Sequence, residues 1–493
     1  MLQATGAALV AAAVCAGCAT GTADGAPATA ASAAAAGGPR NVILFLGDGM
    51  GVSTVTAARI LAGQQQGGSG EEYLLPYERF PNLALIKTYN TDAQVADSAG
   101  TMAAIMTGQK TRMGHISVSS AVPHDDCAAA LEGELPTLLE LAEEGGFATG
   151  VVTTARLTHA TPAATYAHVP NREWESDSQL PPAAAELGCR DIARQFVEFA
   201  HGDGIEVAFG GGRATFVPKD ATDPEHPQVK GIRSDGRNLI EEWQRAHPNG
   251  RYVWNQAQFD ALSPEDDGPV LGLFEPSHMR FSVERAGDAA GEPSLAEMTA
   301  FAIRKLSRNP RGFFLMVEGG RIDHGHHAGN ARRALEDAVA MADAVQTALD
   351  LTDEANTLIL VTADHSHTFT ISGYPRRGNP IFGTVVYPDG SPATDTEGRP
   401  YTTLGYQNGP GYRETLPDLT SVDTEAVDYL QISAYPLDSE THGGEDVPAY
   451  ALGPNAEAVR GVMEQNRLFD VMQQALMPDG GLGGHQAGQR ASR

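Results

Sequence analysis

Five stretches of this chain repeat one arrangement: an apolar run of strand length ends in Gly, Asp, Glu or Thr, and a helical pattern follows it. In chain order they are NVILFLGDGMG from residue 41, FATGVVTTARLTH from 147, IEVAFGGG from 205, GFFLMVEGGRIDH from 312 and TLILVTADHSH from 357. Continuously apolar strands that alternate with helices are typical of a parallel sheet covered on both faces. The sequence therefore predicts an α/β fold that is doubly wound around a mostly parallel central sheet.

The first 39 residues differ in composition from the rest of the chain. Residues 1–18 are interpreted as a signal peptide, because the apolar run ATGAALVAAAVCAGC is too short to cross a membrane. CAGC also resembles a lipoprotein cleavage site that ends at Cys18. Residues 19–39 form a low-complexity linker. We therefore expect an exported protein, periplasmic, extracellular or on the cell surface, whose only membrane attachment would be a lipid on Cys18.

The alternation of strands and helices is interrupted once before the end of the chain. It fills residues 40–375 and 437–476, which predicts one α/β domain. Residues 376–436 are rich in turn residues and aromatics, which favours a β-rich insertion. Residues 477–493, rich in Gly, Gln and Arg, predict a flexible tail.

Charge and cysteine content narrow the range of functions. The chain has 62 acidic and 34 basic residues, a net charge of −28, so we expect no nucleic-acid surface. The excess of acid fits solubility or cation binding. Behind the signal peptide only Cys127 and Cys189 remain, and an exported protein with one such pair has either a disulfide or two buried thiols.

Acids and histidines follow the predicted strands where each strand ends. In parallel α/β sheets, ligands bind beyond the carboxyl ends of the strands. Carboxylate oxygens and imidazole nitrogens are a typical ligand set for zinc. The candidates are Asp48, Glu318, Asp323, His327, Asp364, His365 and His442. One such Asp alone would be interpreted as a helix cap, and one His as structural, but seven at matching strand ends predict a metal site.

A candidate nucleophile lies in VADSAGTMAAIMTG, where Asp97 and Ser98 precede a helical pattern that stops at Gly108. The simpler interpretation is that Asp97 caps the helix and Ser98 has no function. The functional interpretation places Ser98 at a helix N-terminus, which favours an anion, beside a metal that lowers the pKa of its hydroxyl group.

Seven blocks of this sequence, in order, resemble those of the alkaline phosphatase family. They are DGMG, DSAGT, VVTTARLTHATPAATYAH, NREW, VEGGRIDHGHH, VTADHSHTF and THGGEDV, spread from about residue 40 to 475. The blocks are closer to the animal type than to the enteric bacterial type. The insertion at 376–436, with RGNPIFG and YQNGPGY, resembles the crown domain of the animal enzymes.

This resemblance implies two zinc ions and one magnesium ion. Asp323, His327 and His442 would hold the first zinc. Asp48, Asp364 and His365 would hold the second, which would also bind Ser98. Asp48 would bridge to magnesium, completed by Thr161 and Glu318.

The resemblance also implies residues around the metals. Arg172 of NREW would bind the phosphoryl oxygens, for which its forked donors are suited. His159, His324 and His367 would lie behind the metal ligands. His159 and His324 replace an aspartate and a lysine of the enteric bacterial type, which indicates an animal-like site.

Three further features follow from the same resemblance. A calcium site would use Glu225, the Phe274 carbonyl, Glu275 and Glu292, although Glu292 occupies a position where aspartate is usual. Cys127 and Cys189 fall where the animal enzymes form a disulfide. A homodimer is implied as well.

The function implied is hydrolysis of small phosphate monoesters through a phosphoserine on Ser98. Within the same superfamily, a phosphodiesterase and a sulfatase are the alternatives. A sulfatase needs Cys or Ser followed by x-Pro-x-Arg, which DSAGT lacks. An exported, non-catalytic metal-binding protein is the alternative from another class, and it would have lost the nucleophile or a ligand.

Overall fold

A computed structural model of the chain describes residues 40–478. Its strands are β1 Arg40–Gly47, β2 Asn82–Lys87, β3 Ala148–Arg156, β4 Val207–Gly211, β5 Arg251–Val253, β6 Val270–Leu273, β7 Gly312–Gly319, β8 Thr357–Ala363, β9 Ser366–His367, β10 Phe369–Ile371, β11 Leu404–Gly409, β12 Ser433–Pro436, β13 His442–Gly443, β14 Val447–Leu452 and β15 Gly461–Glu464. The predicted signal peptide with Cys18, the linker and nearly all of the predicted tail lie outside the described residues.

The helices lie mostly between successive strands. They are α1 Val52–Gln65, α2 Ser98–Thr107, α3 Cys127–Glu132, α4 Leu138–Glu144, α5 Ala160–Ala163, α6 Pro182–Glu186, α7 Ile192–Val197, α8 Arg213–Phe216, α9 Leu239–Ala246, α10 Gln256–Asp260, α11 Leu295–Leu306, α12 Arg321–His327, α13 Ala331–Leu351 and α14 Arg467–Leu476. None of the helices within residues 40–478 has the length and apolarity needed to cross a membrane.

Ten strands form one sheet in the order β15-β2-β14-β8-β1-β7-β3-β4-β6-β5. All of its neighbouring pairs are parallel except the two that involve β14. The five strands predicted from the sequence are consecutive in this sheet, in the order β8-β1-β7-β3-β4. The predicted α/β fold with a mostly parallel central sheet is therefore confirmed.

The central strands are buried because helices pack against them in two groups. In one group α11 and α13 contact each other, and α1 contacts α13. In the other, α14 contacts α2 and α4. Residues 42–46 of β1 are fully buried, which explains why the sequence has an unbroken apolar run there rather than an alternating pattern.

Two small sheets lie outside the central one. Strands β10, β11 and β12 form a three-stranded sheet, in which β11 and β12 belong to the segment predicted as a β-rich insertion. Strands β9 and β13 pair antiparallel, with His367 opposite His442. This short pair joins two chain segments that are more than seventy residues apart.

Cys127 and Cys189 form a disulfide in the structure. It links the first residue of α3 to the loop between α6 and α7. Of the two alternatives that the sequence left open, the disulfide is therefore the one observed. A disulfide is typical of proteins in oxidising compartments.

Candidate active site

The site lies at the carboxyl edge of the three central strands β8, β1 and β7. Glu318 is the penultimate residue of β7 and pairs in register with Leu46 of β1. Asp48 directly follows β1, and Asp364 directly follows β8. All three carboxylates are fully buried, and carboxylates are rarely buried in proteins unless they are paired or bind a cation.

Ser98 is the first residue of α2 and points into this edge. Its Oγ lies 3.1 Å from His365 Nε2 and 3.4 Å from Asp48 Oδ1. The helix starts there because the Asp97 side chain accepts a hydrogen bond from Gly100 N. It ends at Gly108, which has a left-handed backbone conformation. The predicted cap at Asp97 is therefore observed, and the helix start presents Ser98 to the acidic edge.

Ser98 completes a compact group with Asp48, Asp364 and His365. His365 Nε2 is 3.3 Å from Asp48 Oδ1 and 3.3 Å from Asp364 Oδ2. For zinc bonded to nitrogen and oxygen at about 2.0–2.2 Å, the edges of a tetrahedron are about 3.3–3.6 Å long. The spacing of these ligand atoms therefore fits one tetrahedral ion.

A second group of the same dimensions consists of Asp323, His327 and His442. Asp323 and His327 lie one turn apart on α12, and Asp323 Oδ1 is 3.3 Å from His327 Nε2. The distances from His442 Nε2 are 3.4 Å to Asp323 Oδ1 and 3.1 Å to His327 Nε2. These ligand atoms also fit a tetrahedral ion, with one position left open for water or substrate.

A third group of atoms is made of oxygen alone. Asp48 Oδ2, Thr161 Oγ1 and Glu318 Oε1 are buried and have no hydrogen-bond partner. The other oxygen of Glu318 accepts a hydrogen bond from Thr153. Buried oxygens are normally paired, and unpaired oxygens from carboxylate and hydroxyl groups are ligands that suit magnesium.

Electrostatics at this edge also indicate bound cations. Burial raises the pKa of Asp48 well above its usual range, and the charges of Asp364, Asp323 and Glu318 raise it further. Burial likewise raises the pKa of Glu318 to about 8, although the hydrogen bond from Thr153 acts in the opposite direction. Divalent cations would reverse this repulsion and keep the carboxylates ionised.

His367 holds Asp323 in place together with a residue that sequence reasoning missed. Its Nε2 lies 2.8 Å from Asp323 Oδ1, and its Nδ1 lies 2.6 Å from Glu440 Oε2. The carbonyl oxygen of Glu440 also contacts His327 Nδ1 at 2.5 Å. Glu440 thus orients two histidines of the site. Its only sequence signal is its position two residues before His442.

Arg172 borders the pocket and is fixed on two sides. Its Nη1 is 3.2 Å from Asp97 Oδ2, and its Nη2 is 3.1 Å from His159 Nε2. Asp97 therefore orients both Ser98 and Arg172, a role that the sequence alone did not reveal. The His324 ring packs behind His159, with 5.4 Å between ring centroids.

The residues predicted to bind calcium form a separate acidic cluster. Glu225 Oε1 and Glu292 Oε2 are buried without a hydrogen-bond partner, as are both carboxylate oxygens of Asp288. Glu275, which follows Phe274, is held by Arg280 Nε at 2.8 Å. Burial raises the pKa of Glu225 to about 7 and that of Glu292 to about 8, and neighbouring carboxylates add to both shifts.

Asp288 was missed in the sequence, although it lies only four residues before Glu292. The unpaired oxygens of the cluster are all carboxylate oxygens, the ligand type that calcium prefers.

Comparison with known proteins agrees with this geometry. The family model described as alkaline phosphatase matches residues 39–477. Tissue-nonspecific alkaline phosphatase of Gallus gallus is 49% identical over 442 residues, which cover 88% of this chain and 83% of that protein. The Homo sapiens tissue-nonspecific enzyme is 45% identical over 453 residues, covering 90% and 85% respectively. These animal relatives confirm the resemblance to the animal type.

Solved structures share the fold. Alkaline phosphatase from the Antarctic bacterium TAB5 superimposes with a TM-score of 0.60 at 24% identity, over 89% of this chain and 98% of that one. The Thermus thermophilus enzyme gives a TM-score of 0.62 at 23% identity, over 89% and 92%. From the family model and the animal relatives together, we conclude that this chain belongs to the alkaline phosphatase family.

Proposed function

We propose that this protein hydrolyses phosphate monoesters through a phosphoserine intermediate on Ser98. The observation that supports this most directly is the position of Ser98 Oγ, within 3.4 Å of both Asp48 and His365. A hydroxyl group is a weak nucleophile at neutral pH, so it must be placed where its oxygen can lose a proton. The first position of α2 and the ligand cluster provide such a place.

We propose two zinc ions at the two tetrahedral groups and one magnesium ion at the unpaired oxygens. A mutant of TAB5 alkaline phosphatase is described with Mg bound in its M3 site, which supports the magnesium assignment by analogy. When bound, these divalent cations supply Lewis acidity that stabilises charge on the attacking and leaving oxygens. Their six positive charges exceed the four negative charges of Asp48, Glu318, Asp323 and Asp364, so an acidic protein can still bind phosphate.

The chain's own residues account for the remaining steps. Ser98 Oγ gives up its proton and attacks phosphorus, the bond between phosphorus and the ester oxygen breaks, and the phosphoryl group is transferred to Ser98. The ester oxygen takes up a proton and leaves as the alcohol. Arg172, held by Asp97, donates hydrogen bonds to two phosphoryl oxygens throughout. Water then attacks the phosphoserine, which releases phosphate and restores Ser98. Because Ser98 must lose its proton and the histidines must stay neutral, we expect an alkaline optimum.

Other features of the protein fit the same proposal. We propose that residues 376–436 form a crown-like insertion on the α/β domain. The Cys127–Cys189 disulfide supports an exported location. A homodimer, and a lipid on Cys18, are proposed from family resemblance and sequence.

A monoester and a diester that share the same leaving group test whether the protein is a phosphomonoesterase. We expect kcat/KM for 4-nitrophenyl phosphate to exceed that for methyl 4-nitrophenyl phosphate by about ten- to a hundredfold. The methyl group removes one charged oxygen and leaves donors of Arg172 unpaired, at about 1–3 kcal/mol each. Arg172→Ala should narrow this ratio, because only the monoester uses both donors. A diester rate equal to the monoester rate would reject the monoesterase assignment.

Calcium binding at the acidic cluster is tested by thermal unfolding. We expect calcium to raise the Tm of the zinc-replete protein, because binding to the folded state alone stabilises it. Asp288→Asn should weaken calcium binding at least about tenfold, since affinity depends on the number of charged ligands. Asp220→Asn, which changes an exposed acid, is the matched control. A Tm that does not respond to calcium would contradict the site, and an equal response in Asp288→Asn would remove Asp288 from it.

A further inference from the structure

Three histidines lie together beside the catalytic pocket, and the proposed reaction gives His278 no role. His159, His278 and His324 each bring a ring nitrogen within 4.8 Å of the other two. The rings of His278 and His324 are 4.0 Å apart between centroids. His159 faces the pocket through Arg172, whereas His278 and Arg156 are partly exposed. The group therefore extends from the phosphoryl position towards solvent.

Hydrogen bonds from Arg156 fix the tautomer of His278. The backbone N–H of Arg156 donates to His278 Nδ1 at 3.1 Å, so the hydrogen of the neutral ring must be on Nε2. The Nη1 atom of Arg156 lies 2.6 Å from that same Nε2. Two N–H donors therefore face each other.

His159 and His324 each have a ring nitrogen without a hydrogen-bond partner. Arg172 Nη2 donates to His159 Nε2 at 3.1 Å, which places the hydrogen of His159 on Nδ1. Nδ1 of His159 and Nδ1 of His324 are both buried without a hydrogen-bond partner. Unpaired buried donors are costly. Nδ1 of His159 and Nε2 of His278 are thus N–H donors without an acceptor, and an oxygen acceptor would satisfy them.

The charge around the group favours an anionic acceptor over a neutral one. Arg156 is neutralised by Glu175, with 2.5 Å between Nη2 and Oε1. Arg321, on the same helix as His324, lies close enough for its charge to act on His278 and His324. Its Nε is buried and unpartnered. Three carboxylates also act on Arg321, those of Asp337, Glu284 and Glu292. The charges that act on His278, in contrast, are those of Arg156, Arg321 and the neighbouring histidines.

We propose that His278, His324 and Arg156 bind an anionic oxygen group carried by the leaving group of the substrate. This inference rests on the proposed hydrolysis at Ser98 and adds a preference to it: monoesters whose leaving group bears a carboxylate or a second phosphate. A three-histidine metal site is the other chemistry such a cluster suggests. It is disfavoured because Nδ1 of His278 is occupied by Arg156 and its Nε2 carries hydrogen, so neither nitrogen offers a free lone pair.

The test compares substrates that differ only in leaving-group charge. Phenyl phosphate, 4-carboxyphenyl phosphate and 4-(trimethylammonio)phenyl phosphate are measured at fixed ionic strength, and each kcat/KM is divided by that of phenyl phosphate. In His278→Asp we expect this ratio to fall about tenfold for the carboxylate and to rise for the ammonium substrate, because charge complementarity is reversed. His278→Gln should remove the preference without reversing it, and its Tm shows whether the variant is folded.

Gln244→Glu adds the same charge on the exposed face of α9 and is the matched control, for which the ratios should not change. Ratios within twofold of wild type in both His278 variants would overturn the proposal. If no substrate is turned over by wild type, the hydrolysis itself has failed instead.

A binding measurement, which needs no turnover, tests whether the site binds a second phosphate group of the substrate. In Ser98→Ala we expect inorganic pyrophosphate to bind about tenfold more tightly than inorganic phosphate, measured by calorimetry, because its second phosphate reaches the extra donors. Ser98→Ala combined with His278→Asp should lose this difference. Equal affinities for the two anions in Ser98→Ala would contradict a second-phosphate subsite, even where the carboxylate preference holds. Zinc uptake that is one equivalent lower in His278→Gln than in wild type would show a metal site and overturn the proposal.

Discussion

Ser98→Ala is expected to lower kcat for 4-nitrophenyl phosphate by at least about a thousandfold, the effect expected when a nucleophile is removed. The side chain is buried, and its Oγ is the only atom that the substitution removes from the group of Asp48 and His365. Asp97 still caps α2 through its own side chain. The fold and the metal content should therefore be retained, as measured by circular dichroism and elemental analysis.

Ser294→Ala is the matched control for Ser98→Ala. Ser294 caps α11, where its side chain accepts from Glu297 N, and its loss costs about 1 kcal/mol of stability. This variant should keep wild-type turnover, which separates loss of the nucleophile from loss of stability. A Ser98→Ala enzyme within tenfold of wild type would contradict the assignment of Ser98.

Removal of the metal ions by a chelator is expected to lower turnover as much as Ser98→Ala does. It should also make the free energy of unfolding depend on pH. Without cations, the buried carboxylates of the site repel one another, and burial holds the pKa of Glu318 at about 8 against an ordinary 4.5. The folded protein then binds more protons than the unfolded chain between these two values. Its free energy of unfolding should therefore fall as the pH rises through this window.

The measurement is the Tm at pH 5 and at pH 8, with chelator and after zinc, magnesium and calcium are restored. We expect the Tm of the chelated protein to be lower at pH 8 than at pH 5, and restoration to remove most of this difference because cations keep the carboxylates ionised in the folded state. Restored activity should accompany the restored Tm. If the Tm of the chelated protein is not lower at pH 8 than at pH 5, or if the chelated protein keeps its turnover, the proposal that cations bind the buried carboxylates would be contradicted.

The strands that sequence reasoning found are those buried on both faces. β1, β3, β4, β7 and β8 have continuous apolar runs because helices pack on both sides of them. The outer strands gave no such signal. In β2, the side chains of Leu83 and Leu85 are exposed and alternate with buried residues, and β5 has only three residues. The reversed direction of β14 also has no local sequence signal, because it depends on the path of the chain between strands.

In the candidate site, too, some residues could be recognised from local sequence and others could not. Asp48, Glu318 and Asp364 were recognisable because each lies at the end of a strand in a parallel sheet, and that position is a property of local sequence. Asp97, Glu440 and Asp288 were not recognised in these roles, because their importance comes from partners that are distant in the chain. Asp97 contacts Arg172 seventy-five positions away, and Glu440 contacts His367 seventy-three positions away.

The sequence by itself therefore determined the parallel core, the acidic and histidine residues at its edge, and the helix start at Ser98, since burial and capping leave local patterns. Only the tertiary structure decided which ligand atoms lie about 3.3 Å apart, which buried oxygens and nitrogens have no partner, and which tautomers His159 and His278 adopt. These quantities depend on the side chains that meet across the carboxyl ends of several strands. Whether a buried group is hydrogen-bonded, and how strongly its charge is repelled, depends on all the side chains around it. Those side chains come from distant parts of the chain, so the residue spacing within one segment does not predict these properties.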